Sequence, residues 1–188
     1  KRPMMIPLTL SLLDGHVKAL PLDSNPGHAE KTLVIREARE TFRFENIAEE
    51  PVPSLFRGFS APVNVDAGYS HEELMFLMAH DTDAFNRWDA AQVLVLSAMN
   101  GLIELRRMGK TPVMDQRLID AFEKTLLDTE ADKALIAQIL TIPTETELGD
   151  RMESIDVEAI HEARDFFMES LAKALYVHFR HVFENNRE

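Results

Sequence analysis

The sequence predicts two segregated parts, an antiparallel β-sandwich in residues 1–69 followed by an all-α, solenoid-like segment in residues 70–188. Two observations support this division. Apolar residues recur at every second position before Tyr69 and at helical spacing after Ser70. Short apolar runs separated by turn residues fill the first part, whereas the second part contains runs long enough for helices.

The first part carries about five short strand signals joined by turns. Residues 6–12 alternate apolar and polar side chains, which turns one face of a strand toward a core. Asp14-Gly15 suits a tight hairpin turn before a return strand over residues 17–22, and residues 24–27 form the next loop. The remaining strand signals are residues 32–35, 42–44 and 63–65. This series predicts an immunoglobulin-like sandwich, although that fold usually has about seven strands.

Prolines bracket residues 55–59 and mark this segment as an edge strand or a rigid extended connector, because each proline fixes φ and lacks an amide donor. These prolines are Pro51, Pro53 and Pro62. Leu55 and Phe59 are expected to fill the sandwich core. Arg57 lies between them, and we expect its guanidinium to form an internal ion pair or to bond backbone carbonyls.

Six helices are predicted after Tyr69. Ser70 with Glu73 and Thr144 with Glu147 form capping boxes for the first helix and for a short fifth helix. The other helices are expected over residues 83–108, 115–127, 132–141 and 156–183. A C-cap glycine, Gly109, follows the second of these helices. The side chains expected to point inward are Leu74, Leu77, Met78, Phe85, Trp88, Gln92, Val95, Met99, Leu102, Leu105, Leu118, Ile119, Phe122, Leu126, Ile160, Phe167, Leu171, Leu175 and Phe179. Short loops between helices indicate antiparallel neighbours, as in a helical solenoid.

The last predicted helix is apolar on more than one side, which makes it a candidate exposed patch. Its apolar residues outside the expected core include Phe166, Tyr176, Val177, Val182 and Phe183. One packing partner cannot cover all of these directions. We therefore expect this helix to need a further partner or to promote self-association.

Composition limits the class of function. The chain has 188 residues and a net charge of −12. Residues 1–69 carry eight Lys/Arg and nine Asp/Glu, whereas residues 70–188 carry 12 and 23, so the charge lies in the helical part. An acidic surface repels phosphates, and nucleic acid is therefore not an expected partner.

The sequence also predicts a cytoplasmic location. It has no cysteine, no apolar run of about 18 residues that could span a membrane, and no signal-peptide pattern at its start. The first residue is Lys1 rather than Met, so we expect a piece cut from a longer polypeptide, with sandwich strands missing in front of it.

Two motifs resemble one known family. The first is Pro-Val-Pro-Ser-Leu-Phe-Arg-Gly-Phe-Ser-Ala-Pro-Val at residues 51–63, and the second is Phe-Asn-Arg-Trp-Asp-Ala-Ala-Gln at residues 85–92. In this order and separation they resemble the middle of bacterial aminopeptidase N, a gluzincin zinc peptidase. Weaker collinear matches at residues 39–46, 121–128 and 139–143 extend the resemblance over most of the chain.

The resemblance does not extend to the catalytic residues. A gluzincin needs His-Glu-x-x-His on a helix, so that two imidazoles hold zinc and the glutamate activates its water. The two His-Glu pairs here begin at His71 and His161, and they end in Met75 and Asp165 where the second histidine should stand. We therefore predict no catalytic, cofactor-binding or metal-binding residue in this chain, with zinc held by the catalytic domain of the parent protein.

Three other candidates carry competing interpretations. His178 and His181 are one turn apart, and with Glu184 they could approach a metal, although packing or surface histidines are the simpler interpretation because zinc takes at least three protein ligands. Trp88 is either a packing anchor or part of a peptide subsite. Arg57 could alternatively contact the absent catalytic domain.

The resemblance implies a parent enzyme that removes N-terminal residues from peptides, and it implies a mechanical role for this region. The sandwich would support the helical domain over the catalytic cleft. Its partners would be the upstream catalytic domain and downstream helices of the same polypeptide, and the isolated piece could self-associate. The alternative is a free-standing protein-binding module that recruits a partner through its last helix.

Overall fold

The computed structural model describes residues 4–15, 19, 20, 22, 29–152 and 154–187. The chain forms two compact units, Lys1–Arg87 and Trp88–Glu188. Strands give way to helices after Tyr69, as predicted, but the first helix belongs to the first compact unit. The division at residues 69 and 70 therefore describes the change in secondary structure, and as a domain boundary it stays a prediction.

The described part of the first unit contains one antiparallel sheet of three strands. These are β1 (Ile6–Leu13), β2 (Lys31–Ile35) and β3 (Val52–Leu55), in the order β2-β1-β3. Leu8, Leu10 and Leu12 of the central strand form a buried cluster with Leu22. The period-two pattern of β1 thus places its leucines on one face, as predicted.

The segment that the prolines bracket is an edge strand only at its start, because Leu55 ends strand β3 and residues 57–59 form a 3₁₀ turn. Strand β3 pairs with β1 on one side, with Pro53 opposite Leu12 and Leu55 opposite Leu10. Proline has no amide hydrogen to donate, and an edge position tolerates this loss. Leu55 is partly buried against the leucine cluster, as expected.

Two predicted strands were wrong. Residues 42–44 form no strand, although Phe44 packs against the leucine cluster, and the run around them is rich in charged residues that disfavour strands. Residues 63–65 also form no strand, because Val63 donates its amide to the carbonyl of Ala61 at 2.9 Å in a local turn. The predicted return strand over residues 17–22 lies mostly outside the described residues, and the predicted loop over 24–27 lies wholly outside them. Of the described residues in the return strand, Ala19 forms an isolated antiparallel bridge with Leu13.

Phe59 is not in the core, contrary to expectation. After β3 the chain makes a single 3₁₀ turn over Arg57–Phe59, and this turn carries Phe59 away from the sheet. Its side chain is 52% exposed and lies against Phe85, with ring centroids 5.1 Å apart. The sequence pattern could not show this change of direction, because it depends on backbone angles at residues 56–59.

Six helices follow, as predicted. They are α1 (His71–His80), α2 (Ala84–Arg107), α3 (Gln116–Leu126), α4 (Lys133–Ile139), α5 (Glu145–Gly149) and α6 (Val157–Asn185). Both predicted capping boxes are present, at Ser70 and at Thr144. Gly109 ends α2 with a φ of 66°, the left-handed conformation that a C-cap glycine adopts at little steric cost. None of the described helices is long and apolar enough to cross a membrane.

Most of the predicted helical core is buried. In the second unit, Phe122 of α3 and Phe167 of α6 meet edge to face, with ring centroids 6.0 Å apart. Sequence analysis missed further buried residues on α2, which are Ala90, Ala91, Leu94 and Ile103. Phe85, Trp88, Gln92 and Leu105 are only half-buried. Phe179 is 39% exposed rather than buried, because it lies about 40° around the helix from the buried Leu175.

The observed elements fit a mixed fold with a β part and an α part. In the described residues the sheet has three strands rather than five, and the second sheet of a sandwich is not among them. The sandwich and the solenoid arrangement of the helices therefore stay predictions.

Removal of a core ring should destabilise the second unit. Phe167→Ala deletes a fully buried phenyl group that packs on Phe122, and we expect a loss of about 3–5 kcal/mol in the free energy of unfolding. The matched control is Phe183→Ala on the same helix, where the ring is 65% exposed and the loss should stay below about 1 kcal/mol. Urea denaturation of dilute samples measures both, and equal losses would contradict the assignment of the core.

Candidate functional site: the Arg57 junction

Arg57 is a buried side chain of the first unit that donates to four other side chains. It follows β3 in the 3₁₀ turn and is 6% exposed. Its Nε donates to Glu30 Oε1 at 2.7 Å, and its Nη1 donates to Asp81 Oδ1 at 2.6 Å. Nη1 also donates to the Ser54 hydroxyl at 2.7 Å, and Nη2 donates to the Thr82 hydroxyl at 2.8 Å. The internal ion pair that the sequence predicted is confirmed, and the guanidinium joins β3 to the residues between α1 and α2.

A second layer of hydrogen bonds ties the same segments together. The amide nitrogen of the Asn86 side chain donates to the Ser54 hydroxyl at 2.8 Å and to the Leu55 carbonyl at 2.9 Å. Asp83 Oδ1 accepts the backbone amide of Asn86 at 2.9 Å, and its Oδ2 accepts the amide of Gly58 at 2.8 Å. Ser54 therefore lies between Arg57 and Asn86, and the 3₁₀ turn is bonded to Asp83, the residue before α2.

One guanidinium at the junction faces two carboxylates. Burial alone lowers the pKa of the Arg57 guanidinium, but the neighbouring Asp81 and Glu30 carboxylates outweigh it, so the net pKa is raised. Asp81 is 2% exposed, and its Oδ1 accepts from both Arg57 and the Asp83 amide. Its Oδ2 has no hydrogen-bond partner among the described residues. Loss of Arg57 would therefore leave a buried carboxylate without its counter-ion.

The backbone at the junction adopts unusual angles. Phe56 and Phe59 have φ values of 55° and 54°, a left-handed conformation that large side chains rarely adopt, and Gly58 has a φ of 60°. Each such residue costs roughly 1–3 kcal/mol unless it is glycine. The bonds from Arg57 and from the Gly58 amide hold the turn in this conformation.

The chemistry available at the junction is structural. The guanidinium is held by four side chains, and no side chain of the described network pairs a nucleophile with a base. An arginine held by carboxylates and hydroxyls fixes geometry rather than transferring protons. The junction positions the 3₁₀ turn and the start of α2.

The three candidate metal ligands contact different partners. His178 lies 3.2 Å from Glu123 of α3, whereas the His181 ring bonds the Asn185 side chain at 2.9 Å. Glu184 pairs with Arg180 at 2.7 Å. Within the part of the chain that the structure describes, no three His, Asp or Glu side chains form a group that could hold a metal. The absence of a metal-binding residue from this chain stays a prediction.

The two His-Glu pairs are also accounted for. His71 is the first residue of α1 and is exposed. The ring of His161 bonds Glu145 of α5 at 2.7 Å and lies 3.4 Å from Asp165 on its own helix. Its hydrogen bond to Glu145 is the largest cause of a raised pKa, and Asp165 adds to it. His161 therefore ties α5 to α6.

The second family-like motif contributes residues that sequence analysis did not assign. Asn86 and Arg87 are buried, and Arg87 Nε donates to the Met78 carbonyl at 3.1 Å. Asn86 and Phe85 join the Arg57 junction. In the sequence, this role was indicated only by the polar and aromatic residues that both motifs contain. Trp88 is half-buried at the start of the second unit, and both interpretations of it stay open.

Replacement of Arg57 should destabilise the first unit strongly. Arg57→Met keeps most of the side-chain length but leaves Asp81 buried without its counter-ion. We therefore expect the free energy of unfolding to fall by about 3–5 kcal/mol. The control Arg180→Met removes an exposed pair with Glu184 and should cost less than about 1 kcal/mol. Guanidinium denaturation measures both. The double variant Arg57→Met, Asp81→Leu should be more stable than Arg57→Met alone. If the double variant instead loses the sum of the stabilities lost by the two single variants, Arg57 and Asp81 do not form a direct pair.

The pKa of His161 should lie above that of an unfolded histidine. Since the folded pKa is raised, the stabilisation from protonated His161 is present below the unfolded pKa, and it is lost as pH rises through the folded pKa. Titration of the ring protons by NMR measures the pKa of His161. Glu145→Gln should lower the His161 pKa toward its ordinary value, and no change would show that this hydrogen bond is not its cause.

Comparison with known families gives one result for each part of the chain. A domain of unknown function with an Ig-like fold matches residues 1–68, and a domain of unknown function with ARM repeats matches residues 71–188. These matches confirm the predicted classes of both parts, an Ig-like domain followed by a helical domain.

The curated relatives are aminopeptidases. The chain is 36% identical over 175 residues to aminopeptidase N of Escherichia coli, covering 93% of this chain and 20% of that protein. It is 31% identical over 182 residues to aminopeptidase N of Haemophilus influenzae, covering 97% of this chain and 21% of that protein. The chain thus spans about a fifth of the length of these relatives.

A solved structure shows the same fold. The crystal structure of Legionella pneumophila aminopeptidase A, in complex with aspartic acid, matches with a TM-score of 0.77 and 30% identity. The match covers 96% of this chain and 20% of that one. The predicted resemblance is confirmed, and the chain belongs to the family of paired Ig-like and ARM-repeat domains that forms the C-terminal region of aminopeptidase N.

Proposed function

We propose that this chain is a non-catalytic structural region of a zinc-dependent aminopeptidase that removes N-terminal residues from peptides. One observation carries the proposal: nearly the whole chain matches one segment, about a fifth in length, of proteins named aminopeptidase N. The parent protein's activity, its zinc and its peptide substrates are parts of this proposal. So are the cytoplasmic location and the contacts with an upstream catalytic domain and downstream helices.

The contacts of the described residues support a mechanical role. The buried guanidinium of Arg57 is held by Glu30, Asp81 and two hydroxyls, so it is not available to a substrate. Its bonds join a strand of the Ig-like domain to the beginning of the helices. A rigid junction of this kind would hold the helical domain in place over the catalytic cleft of the parent enzyme.

The two motifs that resemble the family fit the same interpretation. Ser54, Arg57 and Gly58 belong to the first motif, and Phe85 and Asn86 belong to the second. They meet at the junction through the Ser54–Asn86 hydrogen bond and the Phe59–Phe85 ring contact. Residues that are shared with an enzyme but lie in a structural network are expected to preserve shape rather than chemistry.

A chimeric enzyme tests the role of the region. The corresponding segment of Escherichia coli aminopeptidase N, to which this chain is 36% identical, would be replaced by this chain. We expect hydrolysis of aminoacyl substrates with kcat and KM within about tenfold of the original. Introducing Arg57→Met into the chimera should shorten the half-life of activity on heating while leaving the initial kcat and KM unchanged. A folded but inactive chimera would contradict the proposal, and so would a changed KM in the Arg57 variant.

The isolated chain should neither hydrolyse aminoacyl substrates nor bind zinc in a one-to-one ratio. The His-Glu-x-x-His ligand set is absent from the sequence, and a peptidase zinc site needs at least three protein ligands. A fluorogenic aminoacyl substrate measures hydrolysis. Metal analysis of the chain after dialysis against zinc measures zinc binding. Stoichiometric zinc that is lost in His178→Ala would show that the histidines of α6 form a site after all.

A further inference from the structure

Helix α1 is bonded at both ends to the segment that contains β3. Just before its first turn, the Tyr69 hydroxyl donates to the Pro53 carbonyl at 2.6 Å. After its last turn, Asp81 is the C-cap residue, and its carboxylate accepts from the Arg57 guanidinium at 2.6 Å. Pro53 lies in β3, and Arg57 is in the 3₁₀ turn that follows this strand. Both ends of one helix are therefore fixed to one short stretch of the Ig-like part.

The packing of α1 strengthens the same attachment. Leu74, Leu77 and Met78 are buried, and the helix packs against β3. Asp81 also donates its backbone amide to the Leu77 carbonyl at 2.9 Å, so the residue that closes α1 is the residue that pairs with Arg57. Release of α1 from β3 would expose apolar side chains at this contact to water. It would also take a carboxylate partner away from a buried guanidinium.

Two divisions of the chain place α1 differently. The ARM-repeat family matches residues 71–188, so its match begins at α1. The compact unit Lys1–Arg87 instead contains α1 together with the sheet. A family match follows similarity of sequence, whereas a unit that unfolds cooperatively is set by the contacts that are lost together. The bonds at both ends of α1 therefore favour its grouping with the sheet.

We propose that α1 unfolds together with the sheet of the Ig-like part, and that both stay folded when the second unit opens. The Tyr69–Pro53 hydrogen bond and the Asp81–Arg57 ion pair lie wholly within the first unit, so an opening of the second unit leaves them intact. Native proteins open in such cooperative units, each with its own free energy of opening. The inference concerns the order of opening and not the reaction of the parent protein, so its failure leaves the proposed function untouched.

Hydrogen exchange of the full chain tests this grouping. Leu10→Ala shortens a 3% exposed side chain of the central strand, in a leucine cluster that contains no α1 residue among those that the structure describes. Its effect on α1 therefore reports whether the sheet and α1 open together. We expect the slowest backbone amides of α1 and β1 to exchange at least about 30-fold faster in the variant. Those of α3 should change less than about threefold.

The matched control is Phe167→Ala in the second unit. It removes a fully buried ring from α6 together with its contact to Phe122 of α3. We expect the slowest amides of α3 and α6 to exchange at least about 30-fold faster, while those of α1 and β1 change less than about threefold. Acceleration of α1 exchange by Phe167→Ala overturns the proposal, and so does an α1 helix whose exchange Leu10→Ala leaves unchanged.

The unmodified chain gives a second measurement, which serves should Leu10→Ala fail to fold. As urea is raised below the unfolding transition, the exchange of amides in one cooperative unit converges on one free energy of opening. The slowest amides of α1 should converge with those of β1, and those of α3 should form a separate group. Convergence of α1 with α3 instead of β1, or of all three elements together, overturns the proposal.

Discussion

The buried ion pair between Arg57 and Asp81 is the constraint on which the first unit depends. A guanidinium and a carboxylate that are almost fully removed from water are stable only when each keeps the other as partner. Their bonds fix the distance between the end of β3 and the segment before α2. The left-handed backbone at Phe56 and Phe59 is tolerated because this network and the Asp83–Gly58 bond hold the turn from both sides.

This arrangement explains why the residues that resemble aminopeptidase N need not be catalytic. Ser54 and Asn86 come from motifs that are widely separated in sequence, and they share one hydrogen bond inside the junction. Substituting either would leave a buried polar group without its partner, which costs about 1–3 kcal/mol. Both residues therefore contribute to the stability of the junction.

Helix α6 shows a different constraint. Its buried face packs through Phe167 on Phe122, while Tyr176 and Phe183 on an adjacent face stay exposed. In ARM-type repeats each helix pair contacts its neighbours on both sides, so a two-sided apolar helix is the expected design.

Much of the fold could be predicted from local signals. The capping boxes at Ser70 and Thr144 and the C-cap at Gly109 depend on neighbouring residues alone, and they form as expected. The period-two pattern of β1 and the prolines of β3 likewise predicted a buried face and an edge. Strands at residues 42–44 and 63–65 were wrong because alternation over three residues does not supply a partner strand, and pairing is a property of the whole sheet.

The sequence by itself therefore determined the order of the β and α parts, the ends of several helices and the absence of the gluzincin ligand motif. It also predicted that Arg57 has an internal ionic partner, but it could not name Asp81 or Glu30. Only the tertiary structure decided those partners, the exposure of Phe59 and Phe179, and the contact of His178 with Glu123. Caps and hydrophobic periodicity act between residues that are close in the chain. Ion pairs, burial and ligand geometry depend on distances between segments, and those distances are set only when the chain packs.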